Sequence, residues 1–471
     1  MKRIGVVFLL FSAVLAAHVD AMGKETLDFG RFGTVHIYRQ RPHPARVVLF
    51  VSGDGGWNLG VVDMARELSG LDALVVGIDI VHYLSRLGKS GSPCLYPAAD
   101  FELLSKFVQK RLGYPQYVPP ILVGYSSGAT LVYLLAVQAP AGTFKAALSL
   151  GFGPDLNLAG PPCRTDGLSW KKGPTPSTYL LEPAKRLGAP WVVLQGEIDQ
   201  VCSPAEARAF AGRVAGARIV MLPKVGHGFS VPRNWMPQFK AAFAGLAATE
   251  AASAPAPSVL YDLPLVEVKA QAKKTPLLAV LVTGDGGWAG IDREIAGALA
   301  AEGIPVVGID SLKYFWSPRT PEGAAKDLER VLVHYLEAWQ KTQAVLIGYS
   351  LGADVLPAMT ARLGPATRAR VRLIALLAPG TQTAFEFHLG DWVGKPAEGK
   401  QYLILPEIET LADLPVLCVC GEKETDSLCR EKLPPAVSRI LMPGAHHFEG
   451  DYEAVVKQIL DHLRFPARPS S

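Results

Sequence analysis

Short runs of wholly apolar residues recur along the chain, each followed by a polar or glycine-rich break and then a longer amphipathic stretch. "VVLFV" (47–51), "LVVGI" (74–78), "ILV" (121–123) and "WVVL" (191–194) are such runs in the first half, and "LAVLV" (278–282), "VVGI" (306–309), "AVLI" (344–347) and "VLCVC" (416–420) in the second. Runs without polar alternation are what strands buried on both faces look like. The stretches between them, such as "PEGAAKDLERVLVHYLEAW" (321–339), carry helical periodicity. Strands separated by helices imply crossover connections, hence mostly parallel sheets with helices on both faces.

The pattern occurs twice. "VVLFVSGDGGW" (47–57) matches "LAVLVTGDGGW" (278–288), and "LVVGIDI" (74–80) matches "PVVGIDS" (305–311). "GYSSG" (124–128) then matches "GYSLG" (348–352). "PWVVLQGEIDQVC" (190–202) matches "PVLCVCGEKETDSLC" (415–429) with two extra residues in the second copy, and "MLPKVGHGF" (221–229) matches "LMPGAHHF" (441–448). One order of matches across both halves predicts a duplicated domain. The stretch 247–258, "AATEAASAPAPS", has a linker's composition. Expected boundaries are therefore a leader over 1–21, a first domain over 22–246 and a second over 259–471.

With 471 residues, 49% of them apolar and a net charge of +4 with both signs interspersed, the chain is globular and gives no charge argument for nucleic-acid binding. "MKR" followed by the apolar "IGVVFLLFSAVLAA" and small residues up to Ala21 reads as a secretory signal, with an uncleaved anchor as the alternative. Export permits disulfides. Of the six cysteines, Cys94 and Cys163 are the favoured pair and Cys420 with Cys429 the second choice. The cysteine spacing lacks a paired C-x-x-C set, which makes metal binding the less attractive reading; no cofactor is expected.

G-x-S-x-G between a buried strand and a helix is the signature of a nucleophile elbow. A serine hydroxyl needs a base, and the base an orienting acid. In the first half the order is Ser126, Asp199, His227, and in the second Ser350, Asp426, His446. Glu422 competes with Asp426, and His447 is the other register for the base. Each residue alone also reads as an ordinary turn residue; the order and the repetition point to hydrolase chemistry. The "GDGGW" loops supply backbone donors for an oxyanion: Gly286 with the N–H of Leu351 in the second half. They are not phosphate loops, because no G-K-[ST] follows. The insertion 379–394, "PGTQTAFEFHLGDWVG", mixes Glu386 and Asp391 with Phe385, Phe387 and Trp392. It reads either as an amphipathic cap or as an ordered loop whose aromatics fill core. Lys313 is a candidate for a phosphate, with a solvated surface lysine as the plainer reading.

"VTGDGGW", "GIDSLKYFWSPRTPE", "IGYSLGADVLP" and "PGAHHFEGDY" together resemble the bacterial virulence protein family of AcvB and VirJ. The resemblance extends over nearly the whole chain, the shorter relatives corresponding to its second half. It implies two tandem α/β-hydrolase-like domains in the periplasm and, for the longer members, hydrolysis of aminoacylated phosphatidylglycerol, notably the lysyl form, at a membrane surface. The family's serine falls on Ser350, with Asp426, His446 or His447 as partners. A cationic aminoacyl group would meet acids such as Asp285 and Glu386 beside Trp392. Ser126, Asp199 and His227 form a candidate second site. A general esterase and a non-catalytic periplasmic factor on a hydrolase scaffold are the competing readings.

Overall fold

The computed structural model describes residues 25–89, 91–165, 167–185, 187–248, 260–270, 275–387 and 401–464. The leader and most of the linker stretch lie outside the described residues; Ala247 and Ala248 close the helix Met236–Ala248.

The first half is built on eight strands: β1 (Glu25–Phe29), β2 (Gly33–Tyr38), β3 (Arg46–Val51), β4 (Ala73–Ile78), β5 (Ile121–Tyr125), β6 (Ala146–Leu150), β7 (Trp191–Gly196) and β8 (Arg218–Leu222). They lie in the order β1-β2-β4-β3-β5-β6-β7-β8. β1 and β2 run antiparallel, and the six strands from β3 onward are parallel. The second half repeats this with β9 (Leu265–Val268), β10 (Leu277–Val282), β11 (Val306–Ile309), β12 (Gln343–Tyr349), β13 (Val371–Leu377), β14 (Val416–Gly421) and β15 (Val437–Met442). Their order is β9-β11-β10-β12-β13-β14-β15, with only β9 antiparallel. Both halves therefore have the α/β-hydrolase architecture.

The unbroken apolar runs are explained by two-sided burial. Val47, Leu49 and Val51 of β3 pack into one core and Val48 and Phe50 into another. In β10, Leu278, Val280 and Val282 face one helical layer while Ala279 and Leu281 face the other. A side-chain period of two sends neighbouring residues to opposite faces, so a strand between two helical layers needs an apolar residue at every position.

The halves touch where helix Pro97–Arg111 and the loop after it meet the "KYFW" segment. Trp316 Nε1 donates to the Tyr114 carbonyl at 2.7 Å, and Lys110 Nζ donates to the Trp316 carbonyl at 2.5 Å. Tyr117, Leu312, Trp316 and Phe387 form a small buried cluster around these bonds.

Two disulfides stitch the loops. Cys94 is joined to Cys163 across 69 residues, and Cys418 to Cys429 across 11. The second differs from the expected Cys420–Cys429 pair. The chain after the acid loop returns beside β14, where Cys429 meets Cys418 and Ser427 lies near the Cys420 thiol. Cys420 stays buried and free.

By loop-closure entropy, opening the longer disulfide costs about 4 kcal/mol and the shorter about 3 kcal/mol. The Cys94→Ser/Cys163→Ser protein is expected to unfold at lower urea than Cys418→Ser/Cys429→Ser, and both below the parent.

Candidate active sites

Each site begins with an uncomfortable serine. Ser126 has φ 56° and ψ −123°, and Ser350 has φ 51° and ψ −120°. A non-glycine residue held there costs roughly 1–3 kcal/mol and persists only where its surroundings impose it. The imposing contacts are backbone to backbone. A Cβ on Gly348 would lie 2.4 Å from the Gly352 carbonyl oxygen, and one on Gly352 would lie 2.0 Å from that of Val282. The first half repeats the arrangement at Gly124 and Gly128, with 2.1 Å to the Gly128 oxygen and 2.3 Å to that of Ser52. Only glycines let the strand, the following helix and the neighbouring strand end come this close. The serine is then raised over the sheet edge, at the start of helix Ser127–Gln138 or Leu351–Ala361.

In the second half Ser350 Oγ lies 3.0 Å from His446 Nε2, and His446 Nδ1 lies 2.7 Å from Glu424 Oε1. The carboxylate that meets His446 is Glu424; the expected Asp426 is exposed. Glu424 also accepts the Gly421 N–H at 2.7 Å on its other oxygen. Burial pushes its carboxyl up, but the His446 hydrogen bond, the Gly421 N–H and the charges of His446 and His447 outweigh this and leave it below its ordinary value. The signal was in the repeat: Asp199 and Glu424 each stand three residues after the glycine that ends the strand, Gly196 and Gly421. Aligning Asp with Asp required a gap there, and the backbone has none. Glu422, the other competitor, is exposed. His447 turns away from Ser350, its Nδ1 2.9 Å from the Tyr349 hydroxyl. Burial first, and then the charge of His446, lowers its pKa, against a smaller upward pull from Glu424.

The first half holds the same relay. Ser126 Oγ is 2.9 Å from His227 Nε2, and His227 Nδ1 is 2.9 Å from Asp199 Oδ2. Asp199 is buried and further held by the N–H groups of Val201 and Cys202 and by Gln195 Nε2. Tyr125 donates its hydroxyl to the His227 carbonyl at 2.9 Å, and Tyr349 does the same to His446 at 3.3 Å. These tyrosines, the "Y" of each G-Y-S, brace the base loop; nothing in the local motif announces that task.

The other expected residues separate. Gly284 is the glycine pressed against Ser350: a Cβ on it would sit 3.4 Å from the serine Cβ. Gly286 is exposed and lines the cleft between the halves with Trp288 and Arg293. Leu351 opens the helix after the serine, where the first backbone N–H groups have no intrahelical acceptor and are available to an oxyanion. Burial pushes up both Tyr349 and Asp354, and Asp285 is near enough to Ser350's surroundings to add to each rise. Glu386 faces the first half instead, 3.5 Å from Lys110, and Phe385 and Phe387 are buried. Lys313 pairs with Asp310 at 2.9 Å. Asp391 and Trp392 lie outside the described residues. No cluster of His, Cys, Asp and Glu suited to a metal occurs among the described residues, and none of their helices is long and apolar enough to cross a membrane.

Each arrangement can activate an alcohol for attack on an acyl carbon: a hydroxyl, a base within proton-transfer reach, and an acid that fixes the tautomer. Residues 276–466 match the family described as bacterial virulence protein (VirJ). The match lies wholly within the second half and takes in Ser350, Glu424 and His446. No curated protein matches the chain. Solved structures similar to it include an esterase domain from Rhodothermus marinus, at 16% identity and TM-score 0.33, covering 48% of this chain and 97% of that one. A lidless serine hydrolase from Xanthomonas campestris shows 21% identity and TM-score 0.31, covering 47% of this chain and 92% of its own. A putative dienelactone hydrolase from Klebsiella pneumoniae shows 15% identity and TM-score 0.34, covering 49% and 96%.

One turn after Ser350, Asp354 accepts the Gly380 N–H at 2.7 Å. Burial pushes its carboxyl up to about 8, only partly opposed by that bond, with Asp285 adding to the rise. Between the ordinary carboxylate range and pH 8 the folded second half thus holds a proton that the unfolded chain has lost, so stability falls as pH rises through this window, by up to about 1.4 kcal/mol per pH unit. Asp354→Asn is expected to flatten that slope in urea unfolding followed from pH 5 to pH 8.

Proposed function

We propose that this chain is an exported serine hydrolase of two α/β-hydrolase-like domains, and that Ser350 in the second half cleaves the aminoacyl ester of aminoacylated phosphatidylglycerol. The observation that carries the hydrolase reading is the Ser350–His446–Glu424 chain, with links of 3.0 and 2.7 Å. The substrate rests on the family resemblance and is supported by the acids around the serine: Asp285 and Glu424 suit a cationic lysyl group. The leader sequence and the two disulfides favour an oxidising compartment, the periplasm, where the protein would meet its phospholipid at the membrane surface.

In this reaction Ser350 Oγ attacks the ester carbonyl and His446 Nε2 takes its proton. Negative charge develops on the carbonyl oxygen, and the Leu351 N–H and the glycine loop at Gly284 stabilise it. The imidazolium is held by Glu424, whose lowered pKa keeps it an anion. Collapse breaks the carbon–oxygen bond to the glycerol, and the departing alkoxide takes the proton from His446. Water then repeats the sequence on the lysyl-enzyme, and lysine leaves while phosphatidylglycerol stays in the bilayer.

The full-length protein is expected to release lysine from phosphatidylglycerol vesicles containing lysyl-phosphatidylglycerol, and Ser350→Ala to abolish that release. Undiminished release by Ser350→Ala would refute this assignment. Glu424→Gln is expected to lower kcat by about 10²- to 10⁴-fold, as loss of the orienting acid does in serine hydrolases. Asp426→Asn is expected to stay within about 3-fold of the parent, as for an exposed side chain that touches neither base nor nucleophile.

A further inference from the structure

We infer that the first half is a second, independent serine esterase, acting through Ser126 on esters with an apolar acyl chain. The relay geometry at Ser126 is comparable to that at Ser350, with both links at 2.9 Å against 3.0 and 2.7 Å. Its base is better shielded: the His227 side chain is 17% exposed, against 42% for His446. Its acid accepts three hydrogen bonds besides that of the imidazole. A strained serine at φ 56° and a fully satisfied buried carboxylate are costly to keep in a domain that serves only as a scaffold.

The rims of the two sites differ in chemistry, and this assigns the substrate class. Among the described residues nine large apolar side chains stand exposed, and four of them, Leu59, Ile198, Val201 and Val231, lie on the three loops that converge on Ser126. Leu59 follows the "GDGGW" loop, where a Cβ on Gly53 would sit 3.0 Å from the Ser126 Cβ. Ile198 and Val201 flank the Asp199 turn, and Val231 follows the His227 turn. The matching positions around Ser350 are Gly290, Lys423, Asp426 and Gly450. Exposed apolar area is unfavourable in water and is relieved when an acyl chain covers it. Burial, and after it the charges of Asp199, Asp155 and Asp54, push up the nearby Cys202 thiol, and these acids select against an anionic acyl group. The occupant is therefore the uncharged chain of a fatty acyl ester.

The step balances with water as the co-reactant. Ser126 Oγ bonds to the carbonyl carbon and its proton passes to His227 Nε2. The ester carbon–oxygen bond breaks and the alcohol leaves with that proton. Water then adds its hydroxyl to the acyl carbon and returns a proton through His227 to Ser126, releasing the fatty acid.

The test uses the full-length chain carrying Ser350→Ala, a fluorophosphonate probe, and 4-nitrophenyl acetate and octanoate. Ser126 is expected to be labelled, with octanoate turned over at least 10-fold faster than acetate in kcat/KM. Adding Ser126→Ala, or separately His227→Ala, is expected to remove both labelling and turnover. Leu59→Asn with Ile198→Ser is expected to lower the octanoate-to-acetate ratio at least 5-fold. An unlabelled Ser126 in the Ser350→Ala protein, with turnover no higher than in the double variant, overturns the proposal. Labelling with equal rates on the two esters overturns the apolar substrate class. Neither outcome bears on lysine release at Ser350, so the two sites are judged separately.

Discussion

Both sites depend on one steric constraint: a strand, a helix and a neighbouring strand end packed so closely that only glycine fits on either side of the serine. A methyl group at Gly352 would press to 2.0 Å from the Val282 carbonyl. That packing forces Ser350 into a left-handed conformation that serine rarely adopts, and so lifts its hydroxyl above the sheet edge. The strain is sustained by the two-sided core beneath it, where β10, β12 and β13 contribute apolar side chains to both helical layers. Without the rigid sheet, no local preference would hold the turn.

Once the hydroxyl is raised, the remaining partners come from loops at the same edge of the sheet. Strands β14 and β15 are parallel neighbours, so the acid loop after one and the base loop after the other must emerge side by side. The acid loop is tied down by the disulfide between Cys418 and Cys429, and its glutamate is held through the Gly421 N–H. The first half achieves the same end without a disulfide, by sharing Asp199 among two backbone donors and Gln195. Glutamate and aspartate are thus interchangeable here because each is fixed from behind: the longer side chain by one backbone donor, the shorter by three donors.

Duplication kept the machinery and changed the surroundings. The brace from Tyr125 or Tyr349 to the base loop is present in both halves. The rims have diverged, apolar around Ser126 and polar or glycine around Ser350. The halves also press on one another: Lys110 of the first reaches Glu386 and the Trp316 carbonyl of the second. Glu386, which has the look of a substrate-binding acid, thereby serves the contact between the halves, and the aromatics beside it fill core.

Much of this was legible in the residues. Unbroken apolar runs specify strands covered on both faces because every position of such a strand is buried, and their alternation with amphipathic stretches specifies a parallel sheet. Glycines spaced two either side of a serine announce a tight elbow, and the order serine, acid, histidine places all three on one sheet edge. Which carboxylate reaches the imidazole was legible only through the spacing shared with the first half, not from the loop itself. Glu422, Glu424 and Asp426 lie within five residues on one loop, and only the path of the backbone beyond β14 puts Glu424 on His446 and Asp426 in solvent. The expectation that Cys420 meets Cys429 failed for the same reason: the choice between Cys418 and Cys420 is a matter of register between a strand and the segment returning beside it. Local sequence carries periodicity and conformational permission, which are one-residue and few-residue properties. Choosing among chemically similar side chains on one loop depends on where the rest of the chain holds that loop, and that is settled only by packing.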